Sequence, residues 1–223
     1  MEIRINPKGE VRVMSPRFVA LNEIDKFVGQ KAQWVFRKIE QMQKEVFSHP
    51  QRHLQEGDQV FFLGQEYTLM AQKGDERPSC MIADHDRKIL FFSNHDQGQD
   101  WSIALKDQLM RWYRHEAKTR IEERTLYHAH ALGIKFKKVI IKKHKTIWGS
   151  FSQKTGVLNI NWKIIMAPLD VMDYLIVHEL CHAKVANHSR QFWFEVKQIL
   201  PDYQKCQRWL KGHARELNRF EGF

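Results

Sequence analysis

The sequence predicts an α+β fold, with strands gathered in the N-terminal half and helices crowding the C-terminal half. Three observations carry this: short apolar–polar alternations between turn residues before residue 100, two long helix-spaced stretches, and a helical final third. At 223 residues the chain can bury a real core, and 43 % hydrophobic with 28 % charged residues is ordinary globular usage, which excludes disorder as the default. The expected organisation is one domain, 1–223, made of a β-rich N-terminal part (1–98) and a second part (99–223).

Taken in order, residues 2–6 and 10–14 alternate around Pro7-Lys8-Gly9 and predict a β-hairpin. A helix is expected from Leu21 to Phe47, with Ile24, Phe27, Val28, Trp34, Val35 and Ile39 at helical spacings and Gly29 as a point of division. Pro50 and Gly57 mark a loop. Val60–Leu63 and Tyr67–Ala71 flank Gly64-Gln65, and Cys80–Ala83 and Ile89–Phe92 flank Asp84-His85-Asp86, which predicts two more hairpins. A long helix runs from Trp101 to Leu132 and stops at Gly133, a residue suited to a helix C-terminus. Val139–Ile141 reads as a strand, and Thr146–Ser152 and Val157–Trp162 as a pair around Lys154-Thr155-Gly156. Pro168 opens a helix that places Asp170 and Asp173 in its first turn and runs to about Ala186. Another helix begins near Ser189, an N-cap residue, and ends before Pro201, and a last one holds Trp209 and Leu210.

The N-terminal Met1–Gly9 segment is polar alternation without an apolar h-region, so no signal peptide is expected. The run Tyr174–Val177 is far too short to span a bilayer, and a cytoplasmic, membrane-free protein is the expectation. Cys80, Cys181 and Cys206 are odd in number and widely spaced, which excludes a disulfide framework and an all-thiolate metal site.

Charge is uneven. Residues 1–117 carry 17 Lys+Arg against 17 Asp+Glu, whereas residues 118–223 carry 19 against 9, so the whole excess of +10 lies in the second half. Six lysines fall within 134–145, including Lys137, Lys138, Lys142, Lys143 and Lys145. Such a cluster fits non-specific DNA contact, and equally a strand edge kept from pairing with other chains by its lysines.

The chemistry is concentrated in Asp173–Ser189. His178 and His182 are four apart and share one helix face, the spacing at which two imidazoles bind a single zinc ion. Glu179 is rotated away from the ligands, placed to take a proton from a water that the metal activates. With 12 His in the chain, chance alone would produce H-E-x-x-H in roughly one such sequence in twenty-five. The host helix lowers that risk, because Val171, Met172, Leu175, Ile176, Val177, Leu180 and Cys181 make it apolar nearly all round. Polar groups buried in such a helix are costly unless something satisfies them, and metal ligation does so. A catalytic zinc takes three protein ligands, and His188 follows Asn187, which tolerates the left-handed turn that would return the chain to the metal. The six-residue step from His182 to His188 is also the metzincin spacing, but Val185 stands where that motif has glycine and no methionine follows Met172. Val157–Trp162 would pair with an extended substrate, with Asn159, Asn161 and Trp148 as substrate-binding candidates. His128 and His130 fit a helix C-terminus, Asp84, His85, Asp86, His95 and Asp96 fit surface turns, and Tyr174 and Tyr203 fit core packing.

The run Trp148-Gly149-Ser150, Leu158-Asn159, Asn161-Trp162, Met166-Ala167-Pro168, His178–His182, Asn187-His188-Ser189, Phe192-Trp193, Leu200–Tyr203 and Trp209-Leu210 resembles the YgjP-like metallopeptidase family, in order and spacing and over nearly the whole chain. The resemblance implies a zincin-like fold whose C-terminal helical region carries the H-E-x-x-H helix. It implies zinc on His178, His182 and His188, Glu179 as catalytic base, and kinship with SprT-like and WLM proteases. The family pattern has an arginine where this chain has Ile147 and a cysteine where it has Phe151; neither is expected to bind zinc.

The expected function is therefore a zinc metallopeptidase acting on a peptide or protein, with 99–223 as the catalytic part. Two alternatives stand beside it. One is a zinc amidohydrolase on a small amide, although the Glu-Gly-Cys-Leu setting of a deformylase is missing. The other is a DNA-associated protease, or a binding protein without activity, that uses the basic half.

Overall fold

The computed structural model describes residues 1–5, 10–16, 18–47, 54–72, 81–93, 101–144 and 147–219. The turn at 7–9, Cys80, His95, Asp96 and Lys145 lie outside the described residues. The chain forms two compact units, Met1–Arg52 and His53–Phe223.

In the first unit, β1 (Glu2–Ile5) and β2 (Val11–Met14) form the expected antiparallel hairpin, with Ile3 opposite Val13. The helix α1 (Leu21–Phe47) is continuous through Gly29. One unfavourable glycine, worth about 1 kcal/mol, does not break a helix of this length.

The second unit carries the site. Both expected hairpins form: β3 (Gln59–Phe62) with β4 (Gln65–Gln72), and β5 (Met81–Asp84) with β6 (Ile89–Ser93). They join through parallel pairing of β4 with β6 into one sheet of order β3-β4-β6-β5. Local alternation reveals a hairpin but not which hairpin it joins. The β3–β4 turn docks on residues 165–166: Leu63 N–H donates to Ile165 O at 2.9 Å and Gly64 N–H to Met166 O at 3.0 Å. Gly64 has φ +75°, and a Cβ there would lie 2.6 Å from Pro168 Cγ, so only glycine permits this approach.

The long helix α2 (Trp101–Leu132) ends at Gly133 with φ +64°, as its sequence predicts. Leu105, Leu109, Tyr113, Ala117, Ile121, Thr125 and Ala129 are all buried at steps of four residues. A four-residue step overshoots a full turn by ~40°, so this line winds around the helix. Its early part therefore meets β3, through Trp112 against Phe62 and the Tyr113 hydroxyl donating to Phe61 O, while its later part meets the next helix.

A second sheet follows, β7 (Lys138–Lys142), β8 (Gly149–Ser152) and β9 (Val157–Asn161), in the order β7-β9-β8. Residues 162–166, read as the end of a strand and a connection, form a buried 3-10 helix capped by Asn161. Then come α3 (Leu169–Cys181), α4 (Arg190–Ile199) and α5 (Tyr203–Arg219). α3 is buried on nearly every side, as its apolar composition predicts. It ends five residues before Ala186, because the amides of Ala183 and Lys184 bond three residues back, to Leu180 and Cys181, and tighten the last turn. Among the described residues the architecture is α+β, with three small sheets and five α-helices, and the H-E-x-x-H residues lie at the end of α3.

Candidate metal centre

His178 sits in the last turn of α3 and His182 is its C-cap residue, so the two rings stand one turn apart with centroids 5.2 Å from each other. The turn after α3 brings His188 back to them, with centroids 4.9 Å from His178 and 4.8 Å from His182. One ligand nitrogen from each histidine can be chosen so that all three lie within 4.8 Å of one another. His178 Nε2 and His188 Nε2 are 3.0 Å apart. A four-coordinate zinc with Zn–N bonds of about 2.0–2.1 Å holds its nitrogens roughly 3.3 Å apart, so this donor set fits such an ion.

The second nitrogens differ. His182 Nδ1 lies 3.1 Å from Val185 O, the contact that fixes a ligating imidazole with Nε2 free. His178 Nδ1 is buried and has no partner among the described residues. Burial, then the neighbouring His182 and His188, push the His178 imidazole down to about 3. Burial likewise lowers His182, against the Val185 carbonyl, which favours its charged form. Both rings are thus held neutral, the form that binds a metal.

Phe192 of α4 is fully buried and packs against all three rings, at centroid distances of 4.9, 4.6 and 4.8 Å from His178, His182 and His188. It is the floor on which the histidines are arranged. Gln153 ties the strand side to the helix end by donating Nε2–H to His182 O at 2.6 Å.

Glu179 lines the same open cleft of about 430 Å³, with Gly149, Ser150, Phe151, His178, His182 and His188. It is 6 % exposed, and burial pushes its carboxyl up to about 7. β8 passes directly over it: a Cβ at Gly149 would lie 2.7 Å from Glu179 Cγ and 2.8 Å from Oε1. Gly149 is a position that composition and spacing do not single out, since its constraint is steric and comes from another element.

The substrate candidates on β9 do not stand where expected. β9 is the central strand, paired on both sides, so it has no free edge for a substrate; β8 is the edge strand at the cleft. Asn161 is 2 % exposed and donates to His144 O while its Oδ1 accepts from Lys163 N–H, a structural cap. Asn159 donates to Ser150 Oγ at 3.1 Å, and the Trp148 carbonyl accepts from Asn161 N–H.

His128 departs from its expected role. It is buried, 3.1 Å from Asp173 Oδ1, on a carboxylate that also accepts from Arg124 Nε–H at 2.7 Å. Asp173 thus faces α2 rather than serving the α3 dipole. The i, i+4 pair Arg124 and His128 is visible in the sequence, but its partner 45 residues beyond His128 is not. Lys137, Lys138, Lys142 and Lys143 are exposed on and beside β7, the edge strand opposite β8. Tyr174 packs as expected, stacked on Tyr203 at 6.4 Å. No helix of the described residues is long and apolar enough to cross a membrane.

A family model described as YgjP-like, metallopeptidase domain, matches residues 1–213. No curated protein matches the chain. Among solved structures, the metallopeptidase zymogen abylysin of Pyrococcus abyssi is 26 % identical over 41 % of this chain and 93 % of its own, with a TM-score of 0.38. The zymogen jannalysin of Methanocaldococcus jannaschii is 24 % identical over 42 % of this chain and 96 % of its own, with a TM-score of 0.39.

Proposed function

This chain belongs to the YgjP-like metallopeptidase family, and from that premise we propose that it is a zinc-dependent peptidase with His178, His182 and His188 as ligands and Glu179 as general base. The observation that carries the reading is the convergence of three imidazoles beside a carboxylate in one cleft.

Bound there, zinc would supply Lewis acidity, polarising the scissile carbonyl and lowering the pKa of a water towards about 7. The residues do the rest. Phe192 and the Val185 carbonyl hold the imidazoles in place. Glu179, with a carboxyl poised near neutrality by burial, accepts the proton of the attacking water and returns it to the leaving amine. The free edge of β8 offers backbone groups to an extended substrate, a mode that gives affinity without demanding sequence. Phe151, where the family pattern has cysteine, lines the cleft beside that edge.

The test is metal content and peptide cleavage measured on the same preparation. About one zinc per chain is expected, with large losses in His178→Ala, His182→Ala and His188→Ala. Glu179→Gln should keep the metal and lose ~100- to 10,000-fold in kcat. Wild-type turnover by Glu179→Gln would sink the mechanism.

A further inference from the structure

Beyond the histidine cleft, a second recess of about 270 Å³ lies between α4 and the start of α5, lined by Arg190, Trp193, Phe194, Lys197 and Tyr203 among others. The wall shared with the metal centre is Trp193. Its ring lies 5.7 Å from His178 and 5.8 Å from His188, and stacks on Tyr203 at 5.1 Å with 12° between planes. Arg190 follows His188 by two residues, so the recess begins where the ligand set ends.

The recess is built from one side of α4. Arg190, Trp193, Phe194 and Lys197 recur at helical spacing, while Phe192 and Val196 face the core. Arg190 and Lys197 are exposed, and neither has a carboxylate partner among the described residues. The one acid of α4, Glu195, is engaged elsewhere, by Lys184 at 3.0 Å and Gln191 at 3.1 Å. Two cations without a carboxylate partner among the described residues thus line one recess with the aromatic rings, in a space of about 270 Å³ that suits one side chain or a chain end and not a folded partner. A carboxylate completes this arrangement, because guanidinium and ammonium donors both pair with it and the rings cover its stem.

We propose that this recess is a substrate subsite that binds a carboxylate near the scissile bond, with Arg190 and Lys197 as its cations and Trp193 with Tyr203 as its floor. The proposal rests on the peptidase reading for its place in catalysis, but the binding itself does not. The carboxylate belongs either to an Asp or Glu side chain or to the substrate's C-terminus.

The experiment uses full-length, zinc-loaded protein and peptides that differ at one position flanking the cleaved bond: Glu, Gln or Lys, each with a free or an amidated C-terminus. A five- to tenfold preference in kcat/KM for the carboxylate over its amide is expected, on the order of two partly exposed charge contacts. Dependence on Glu identifies the side chain, and dependence on the free terminus identifies the chain end. The ratio should fall to about one in Arg190→Gln/Lys197→Gln and invert towards Lys peptides in Arg190→Glu/Lys197→Glu. Inversion is an outcome that damage to the fold would not produce. Equal kcat/KM for carboxylate and amide in the wild type, or a preference that survives the double Gln variant, overturns the proposal. The same peptides, labelled and titrated into Glu179→Gln protein by fluorescence polarisation, read binding without turnover. If none is cleaved, the peptidase reading fails, and the binding ratio still decides the subsite.

Discussion

Gly149 has to be glycine because Glu179 occupies the space a side chain would need. A methyl group there would stand 2.7 Å from Glu179 Cγ and 2.8 Å from Oε1, well inside van der Waals contact, and the carboxylate would have to move. Gly149→Ala should therefore keep its zinc, whose three ligands it does not touch, and lose about 100-fold in kcat, the scale of a misplaced general base. Metal analysis beside steady-state kinetics checks this, and an alanine variant with wild-type kcat would remove Gly149 from the mechanism. Glu179 itself carries a cost that pH reveals. Its folded carboxyl is raised from 4.5 to about 7, so the stability that the neutral form contributes is complete below the unfolded value and lost as pH rises through 7. In metal-stripped protein, Glu179→Gln should consequently be more stable than wild type at pH 8, by up to about 3 kcal/mol, and show little difference below pH 4.5. Urea unfolding at the two pH values measures it. The same stability difference at both pH values would mean that the carboxylate is well solvated.

At the scale of elements, α3 is held in place from behind as well as from the cleft. Asp173 lies five residues before His178, and Arg124 and His128 of α2 grip its carboxylate on the face turned away from the metal. Burial pushes the Asp173 carboxyl up, but the hydrogen bonds from His128 and Arg124, and then their charges, outweigh it and hold it below the usual carboxylate range. The contribution of this group is therefore present at neutral pH and fades as pH falls below about 4. Asp173→Asn should cost about 3 kcal/mol, because it leaves a partly buried guanidinium without its counter-charge. It should also weaken zinc binding by letting the His178–His182 turn drift. A loss under ~1 kcal/mol, within the range of an ordinary surface pair, would deny the clamp this role. The difference between what could and could not be read in advance is visible here. The helices, the hairpins and the three histidines follow local periodicity, and each was legible from spacing. The Arg124–His128–Asp173 clamp, the steric demand on Gly149 and the central place of β9 depend on which elements become neighbours. Alternation in Val157–Trp162 reveals a strand and says nothing of whether it lies at an edge, and the error over Asn161 as a substrate contact follows from that alone.

At the scale of the whole molecule, the excess of positive charge lies in the half that carries the site, and the described lysines at its centre lie along one strand. Among the described residues β7 pairs with β9 alone, which leaves its other edge without a strand partner. Lys138 and Lys142 stand at its two ends, flanked by Lys137 and Lys143, while Val139, Ile140 and Ile141 between them are partly buried. An apolar edge strand with nothing over it would recruit a strand from another copy, and charged side chains at its ends oppose this. That position favours edge protection over nucleic-acid contact as the reason for the cluster, although both use the same residues. The combined variant Lys137→Gln, Lys138→Gln, Lys142→Gln and Lys143→Gln separates them. Edge protection predicts that the variant loses solubility and self-associates in sedimentation at concentrations where the wild type stays dispersed. It also predicts that any residual affinity for DNA has the same salt dependence in both proteins. DNA contact predicts the reverse: unchanged solubility, and a shallower fall in affinity with salt, since each lost phosphate contact removes about 0.9 from the slope of log K against log salt. Four lysines on DNA would thus change the slope by roughly 3 to 4, a difference that two salt concentrations resolve. A slope change of that size with unchanged solubility would return the basic strand to the nucleic-acid reading.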